Sequence, residues 1–149
     1  MTMSVVDASV WVSVFLTQDV HHRAARRWLD DRLASGETIV SPVLLLSEVG
    51  GAISRQTKSP ETAARALKVI GGIPGLRLVP VDHRLGRAAA DLAVQLRLRG
   101  ADAVYVAVAA HLKIPLVTLD AEQKERAREL IEVRMPQAER RTGASRSGE

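Results

Sequence analysis

ADAVYVAVAAHLKIPLVTLDA, residues 101–121, is the stretch on which the fold turns. From Asp102 to about Leu112 it is rich in alanine and valine, and no Asp, Glu, Lys or Arg follows Asp102 until Lys113. That composition predicts a helix buried on most of its sides. LysIlePro then breaks the pattern, and Leu116 to Leu119 predicts a short strand, apolar on both faces, that ends at Asp120. The N-terminus repeats the second half of this arrangement: SVVDAS predicts a strand over about residues 4–7, with Asp7 at its carboxyl end. Strands apolar on both faces and separated by helices belong to a parallel sheet covered on both sides.

Working outward, Ser9 to Phe15 is read as a short helix, and His21 to Leu33 as a longer one closed by Gly36. ThrIleValSer at 38–41 predicts the second strand. Ser41-Pro42 and Ser59-Pro60 both look like a cap followed by proline in a first helical turn, which predicts helices over about 42–56 and 60–70. GlyGlyIleProGly at 71–75 is a turn, Leu76 to Val79 the third strand, and Asp82 opens a helix to about Leu98. Gly100 breaks the chain before the helix at 102–112. A helix at about 121–129 and a short fifth strand at 131–133 complete a domain over residues 1–135, leaving 136–149 as a polar, basic tail expected to be disordered.

At 149 residues the chain is one domain's worth, with 46% hydrophobic and 26% charged residues. Aromatics are 3%, which leaves little for stacking on bases, and the absence of cysteine excludes disulfides and thiolate metal sites. No apolar run approaches a membrane span and the N-terminus lacks a secretory leader, so a cytoplasmic protein is expected. The formal charge is +4. Arg77, Arg84, Arg87, Arg97, Arg99 and Lys113 outnumber the three acids among them, as suits a basic rim for a polyanion, although any one of them alone is better read as solvating the outer face of a helix.

Four acids stand where packing gains nothing from them: Asp7, Glu48, Asp102 and Asp120. Buried carboxylates require pairing or coordination. Asp7 and Asp120 both follow a strand, and the carboxyl ends of parallel strands line the ligand crevice of open sheets. They are close neighbours only if the first and fourth strands pair. Each could instead cap the helix that follows, Ser9 being an alternative cap in the first case and Gln123 completing a capping box in the second. Asp102 opens a buried helix, where the dipole alone favours an acid. Glu48 lies within VLLLSEVGGAI, read as mid-helix, with no basic residue three or four positions away. Gly50-Gly51 beside it points to close approach of backbone or substrate, or else to a tight helix–helix contact. Ser9 and Thr118 each stand two residues from one of these acids and can orient a carboxylate or water. Together such acids suit Mg²⁺ or Mn²⁺ and a phosphodiester substrate. His21, His22, His83 and His111 form no pattern of ligands, and GxGxxG, Walker A, HExxH and GxSxG sequences are absent.

VVDAS, SEVGGAISR, ADAVYVAVAAHL and PLVTLDAEQKERA, in that order over about residues 3–135, resemble the successive motifs of PIN domains, and among these the single-domain VapC-like proteins. The resemblance implies a three-layer α/β/α sandwich with a parallel sheet of order 3-2-1-4-5, which makes the first and fourth strands neighbours. It maps the family's acids onto Asp7, Glu48, Asp102 and Asp120. It implies an Mg²⁺- or Mn²⁺-dependent endoribonuclease of a type II toxin–antitoxin pair, a homodimer, and a small antitoxin protein in the active-site groove. In this reading Asp7, Asp102 and Asp120 hold the ion, Glu48 ligates through water or acts as base, and Ser9 and Thr118 orient the ligands. Where some members carry an acid or amide four residues after the last aspartate, this chain has Lys124, which argues against a second metal site. The competing readings are an Mg²⁺/Mn²⁺ phosphatase of small molecules and a non-catalytic module that binds RNA or protein through the same groove.

Overall fold

The computed structural model describes residues 2–137. Five strands, β1 (Met3–Val6), β2 (Thr38–Pro42), β3 (Leu76–Val79), β4 (Leu116–Val117) and β5 (Val133–Arg134), form one sheet of order β3-β2-β1-β4-β5. Every pairing is parallel. Seven helices connect them among the described residues: α1 (Ala8–Phe15), α2 (His22–Ala34), α3 (Leu45–Thr57), α4 (Pro60–Gly71), α5 (His83–Leu96), α6 (Gly100–Leu112) and α7 (Ala121–Ala127). Crossovers between parallel strands are right-handed. Stepping from β1 to β2 to β3 therefore lays α1–α4 on one face, and reversing to β4 and β5 lays α5–α7 on the other. The predicted three-layer sandwich is the fold observed.

The core follows from this arrangement. Val5, Val6, Ile39, Val40, Leu116 and Val117 are fully or almost fully buried, as central strands covered on both faces must be. Helix α6, lying across β1, β2 and β4, buries seven consecutive residues from Ala103 to Ala109, which explains its lack of an amphipathic pattern. Helix α1 forms despite its β-branched residues because Asp7 caps it, accepting from Ser9 N, and because Val10, Trp11 and Val14 bury against the sheet.

Three expectations change. Ser41-Pro42 opens no helix: both residues belong to β2, and α3 begins at Leu45 without a side-chain cap. The Ser41 hydroxyl turns inward instead and donates to Val6 O at 2.7 Å, tying β2 to β1. Ser59-Pro60, the same local signal, does cap α4. Glu48 consequently lies in the first turn of α3 and not in mid-helix. Gly100 is the first residue of α6, so the helix starts two residues earlier than expected. Of the predicted tail, residues 138–149 lie outside the described residues, while Pro136 is buried. The glycine pair divides its roles: a Cβ on Gly50 would stand 3.2 Å from the Leu67 side chain of α4, so that glycine serves helix–helix packing, and a Cβ on Gly51 would meet the Arg55 guanidinium at 3.1 Å.

Helices α3, α5 and α6 end in left-handed residues that are not glycine: Lys58, Arg97 and Lys113. An L-residue is strained there, whereas glycine is not. Lys113→Gly is expected to raise stability by about 0.5–1 kcal/mol, measured as a higher urea midpoint with an unchanged slope. A lowered midpoint would show that the Lys113 side chain contributes more than its backbone costs.

Candidate active site

Asp7 follows the last residue of β1, and Asp120 follows β4 by three positions. Since these strands pair, with Asp7 N donating to Val117 O at 2.9 Å, the two aspartates share one edge of the sheet. Asp102, in the first turn of α6, and Glu48, in the first turn of α3, are brought to the same place. Each of the four therefore sits at a joint between elements. Asp7 is the deepest, at 4% exposure.

Capping and site membership prove compatible, because a carboxylate has two oxygens. Asp120 Oδ1 accepts from Glu122 N at 2.9 Å and Gln123 N at 3.1 Å, which caps α7 and leaves Oδ2 facing Arg99. On Asp7 the bonds converge on Oδ2: Ser9 Oγ donates at 2.6 Å, Thr118 Oγ1 at 3.0 Å and Ser9 N at 3.3 Å. Asp7 itself thus caps α1, and Ser9, considered as an alternative cap, supplies donors to it. The hydroxyls also bind backbone, Leu119 N donating to Ser9 Oγ and Asp120 N to Thr118 Oγ1, each at 3.0 Å.

Two members of the site were missed in the sequence. Gln123 is fully buried, takes a bond from Thr118 Oγ1 to its Oε1 at 2.9 Å, and reaches Asp102 O through Nε2 at 3.4 Å. Thr118 has one proton for two acceptors, Gln123 and Asp7. Both contacts are satisfied together when Asp7 carries a proton of its own. The second is Tyr105, buried on α6 and close enough to Glu48 for each to perturb the other. Neither Glu48 Oε1 nor the Tyr105 hydroxyl closes a hydrogen bond of good geometry. In the sequence Gln123 reads only as part of a capping box. Tyr105 belongs to the ADAVYVAVAAHL motif that carries the family resemblance, but the sequence assigns it no role.

The electrostatics follow from burial and crowding. Burial raises the Asp7 carboxyl above the ordinary range against the lowering effect of its hydroxyl partners. Burial, with the charge of Asp7, also raises Glu48, opposed by Tyr105. Asp102 is pushed up to about 6 by burial first, then by Asp7 and Asp120, and Arg99 only partly offsets this. Arg99 lies with Nε 3.5 Å from Asp102 Oδ2 and Nη2 3.3 Å from Asp120 Oδ2.

These residues fit a divalent cation by chemistry: hard oxygen donors, mutually repelling, one buried oxygen of Glu48 without a partner. Among the described residues, however, no three acids or histidines are closed up tightly enough to hold an ion as they stand. Beside them a groove of about 570 Å³ opens over Glu48 and Asp120, with Ser9, His21, Ser47 and Arg55 along its walls. His22 is used locally, its Nδ1 lying 2.8 Å from Ser13 O. Among the described residues no helix is long and apolar enough to cross a membrane.

A raised carboxyl pKa destabilises the folded state once the group ionises. For Asp102 the penalty is absent below about pH 4, grows as pH rises through about 6, and is complete above it. Asp102→Asn is expected to raise the metal-free melting temperature at about pH 8 and to change it little at about pH 4. Equal shifts at both pH values would show that charge crowding is not the cause. Thr118→Val leaves Gln123 Oε1 and Asp7 without their shared donor and is expected to cost about 1–3 kcal/mol in chemical denaturation. A cost below about 0.5 kcal/mol would mean that the network relaxes around the loss.

The PIN domain family model matches residues 4–129. Among solved structures the fold is similar to Mycobacterium tuberculosis VapC20, described as a sarcin–ricin loop cleaving toxin, at 23% identity and a TM-score of 0.69, covering 88% of this chain and 98% of that one. It is likewise similar to VapBC2 from Rickettsia felis, bound to a DNA fragment from the pair's promoter, at 16% identity and a TM-score of 0.68, covering 90% and 98%. A third similar structure is DNA-bound VapBC from Salmonella typhimurium, at 17% identity and a TM-score of 0.64, covering 91% and 98%. Among the curated proteins none matches this sequence significantly.

Proposed function

From a chain that belongs to the PIN domain family, we infer an endoribonuclease that hydrolyses RNA phosphodiester bonds with the help of Mg²⁺ or Mn²⁺. The observation that supports this reading best is the crowding of Asp7, Glu48, Asp102 and Asp120 at the carboxyl ends of β1 and β4. Three of the four are pushed towards their protonated forms. A protein that only binds RNA has no use for such a repulsive centre. The groove beside it is open along α1 and α3, which suits a polymer better than a small phosphorylated metabolite.

Asp7, Asp102 and Asp120 would hold the cation, with Glu48 beside it. When bound, the ion neutralises phosphate charge and acidifies water. The protein's own part is positional. Ser9 and Thr118 fix the Asp7 carboxylate in one rotamer, and the backbone amides of α7 fix Asp120. Glu48, with an unpartnered oxygen and a raised pKa, accepts the proton as water oxygen attacks phosphorus. The phosphorus–oxygen bond to the leaving nucleotide breaks, and that oxygen takes up a proton from solvent. Arg55 and His21, along the groove wall, engage flanking phosphates without reading sequence.

A similar structure is that of a toxin, and another belongs to the VapBC family of toxin–antitoxin systems, which supports a toxin partnered by a small antitoxin; the antitoxin would sit in this groove and the toxin would form a homodimer. Co-purification with the product of a short adjacent reading frame, with loss of RNA cleavage in the complex, tests the partner.

Asp7→Asn and Asp120→Asn are each expected to reduce RNA cleavage at least about 100-fold while leaving the protein folded. Glu48→Gln should lower cleavage comparably and hold or raise metal-free stability, since it removes one of several crowded charges. The measurement is cleavage of a total-RNA substrate with Mn²⁺ together with thermal melting in chelator. Wild-type cleavage rates in Asp7→Asn or Asp120→Asn would overturn the site, whereas release of phosphate from small esters with RNA untouched would favour the phosphatase.

A further inference from the structure

Arg99 is the N-cap residue of α6, and among the described residues its acidic partners are Asp102 and Asp120. The guanidinium touches Oδ2 of both carboxylates, so one planar cation spans two elements, α6 and the start of α7. Arg99 is 73% exposed while Asp102 and Asp120 are 18% and 25% exposed, so the guanidinium lies over the pair from the solvent side. Asp120 cannot rearrange freely, because its Oδ1 is committed to the amides of α7 and Oδ2 is the oxygen left for a cation. Nothing commits Arg99 in the same way: it makes no side-chain cap for α6.

A small hard ion such as Mg²⁺ needs carboxylate oxygens at about 2.0–2.1 Å and competes with a guanidinium for the same lone pairs. The geometry points to Arg99 as a built-in counter-ion that holds Asp102 and Asp120 in the metal-free protein and is displaced when a divalent cation binds. Arg99 thereby sets how much free metal the protein requires. This rests on the metal-dependent reading above: the guanidinium bridges Asp102 Oδ2 and Asp120 Oδ2 in the metal-free protein, the oxygens a cation would take. Exchange is physically easy because the guanidinium is itself exposed, so that solvent screens its hold on the half-buried carboxylates. Arg99 is a positioning residue, separate from the carboxylates that would hold the ion.

The test is Mn²⁺ titration by calorimetry, without RNA, of the wild type, Arg99→Ala, Arg99→Lys and, as a control, Arg26→Ala, whose partner Asp30 is on α2. Arg99→Ala is expected to bind Mn²⁺ about 3- to 10-fold more tightly than wild type, with Arg99→Lys between them and Arg26→Ala unchanged. In chelator, Arg99→Ala should melt slightly lower than wild type, and Mn²⁺ should raise its melting temperature by more. Binding by Arg99→Ala with none by wild type supports the same conclusion in a stronger form. Wild-type binding that Arg99→Ala matches or weakens would overturn the role of Arg99 alone. No binding by either protein would overturn the metal-dependent reading and this inference with it.

Discussion

A carboxylate buried at the end of a central strand is the constraint around which this molecule is arranged. Asp7 has nowhere to send its charge: it is 4% exposed and no basic side chain is among the groups that perturb it. Burying an unpaired carboxylate costs several kcal/mol unless donors surround it or a proton neutralises it. The fold uses both routes. Ser9 and Thr118 supply hydroxyls, and burial favours the neutral acid. Because Thr118 belongs to the segment leaving β4, the same bonds that satisfy Asp7 also join that segment to β1, reinforcing the backbone bond from Asp7 N to Val117 O. Thr118 also reaches Gln123, so a single hydroxyl ties β1, the end of β4 and α7 together.

The strand order does the remaining assembly. With β1 and β4 adjacent, their carboxyl ends deliver Asp7 and Asp120 to one edge, and α6, which crosses β1, β2 and β4, brings Asp102 in its first turn. Helix α3 packs on α1 and adds Glu48 from the opposite side of the sheet's edge, next to Tyr105 of α6. The four acids are thus contributed by four separate joints, and no local sequence element contains two of them. Such a cluster lowers stability in the absence of a counter-cation, a pattern typical of sites whose charges exist for function.

Most of the fold was legible because its signals are local. An apolar run ending in aspartate marks β1 and β4, and Ser59-Pro60 marks α4. Ser41-Pro42 carries the same letters yet extends a strand, because its hydroxyl is needed by Val6 O thirty-five positions away, which no window around Ser41 can reveal. That error moved Glu48 from the first turn of α3 into its middle. The pairing of β1 with β4 could not be deduced from spacing and came only with the family resemblance. Gln123, Tyr105 and the bridging by Arg99 were illegible for a common reason: each acts through a neighbour supplied by another element. Arg99 reads as one more rim charge until α7 is folded against the start of α6.

The four acids are held with unequal firmness, and the inequality matches what each would have to do. Asp7 is locked by two hydroxyls and an amide, and Asp120 by two amides of α7. Neither can turn without breaking a helix cap. Among the described residues the Asp102 side chain is held by the exposed Arg99 guanidinium, and Glu48 Oε1, beside Tyr105, closes no hydrogen bond of good geometry. A group that must change partners or pick up a proton during a reaction is poorly served by fixed donors, since each would have to be broken in turn. A group that only anchors is well served by them. Asp7 and Asp120 accordingly form the rigid half of the site, built into the sheet edge itself. Asp102 and Glu48, on the first turns of helices from opposite faces of the sheet, form the adjustable half, and the Arg99 guanidinium spans the boundary between the two.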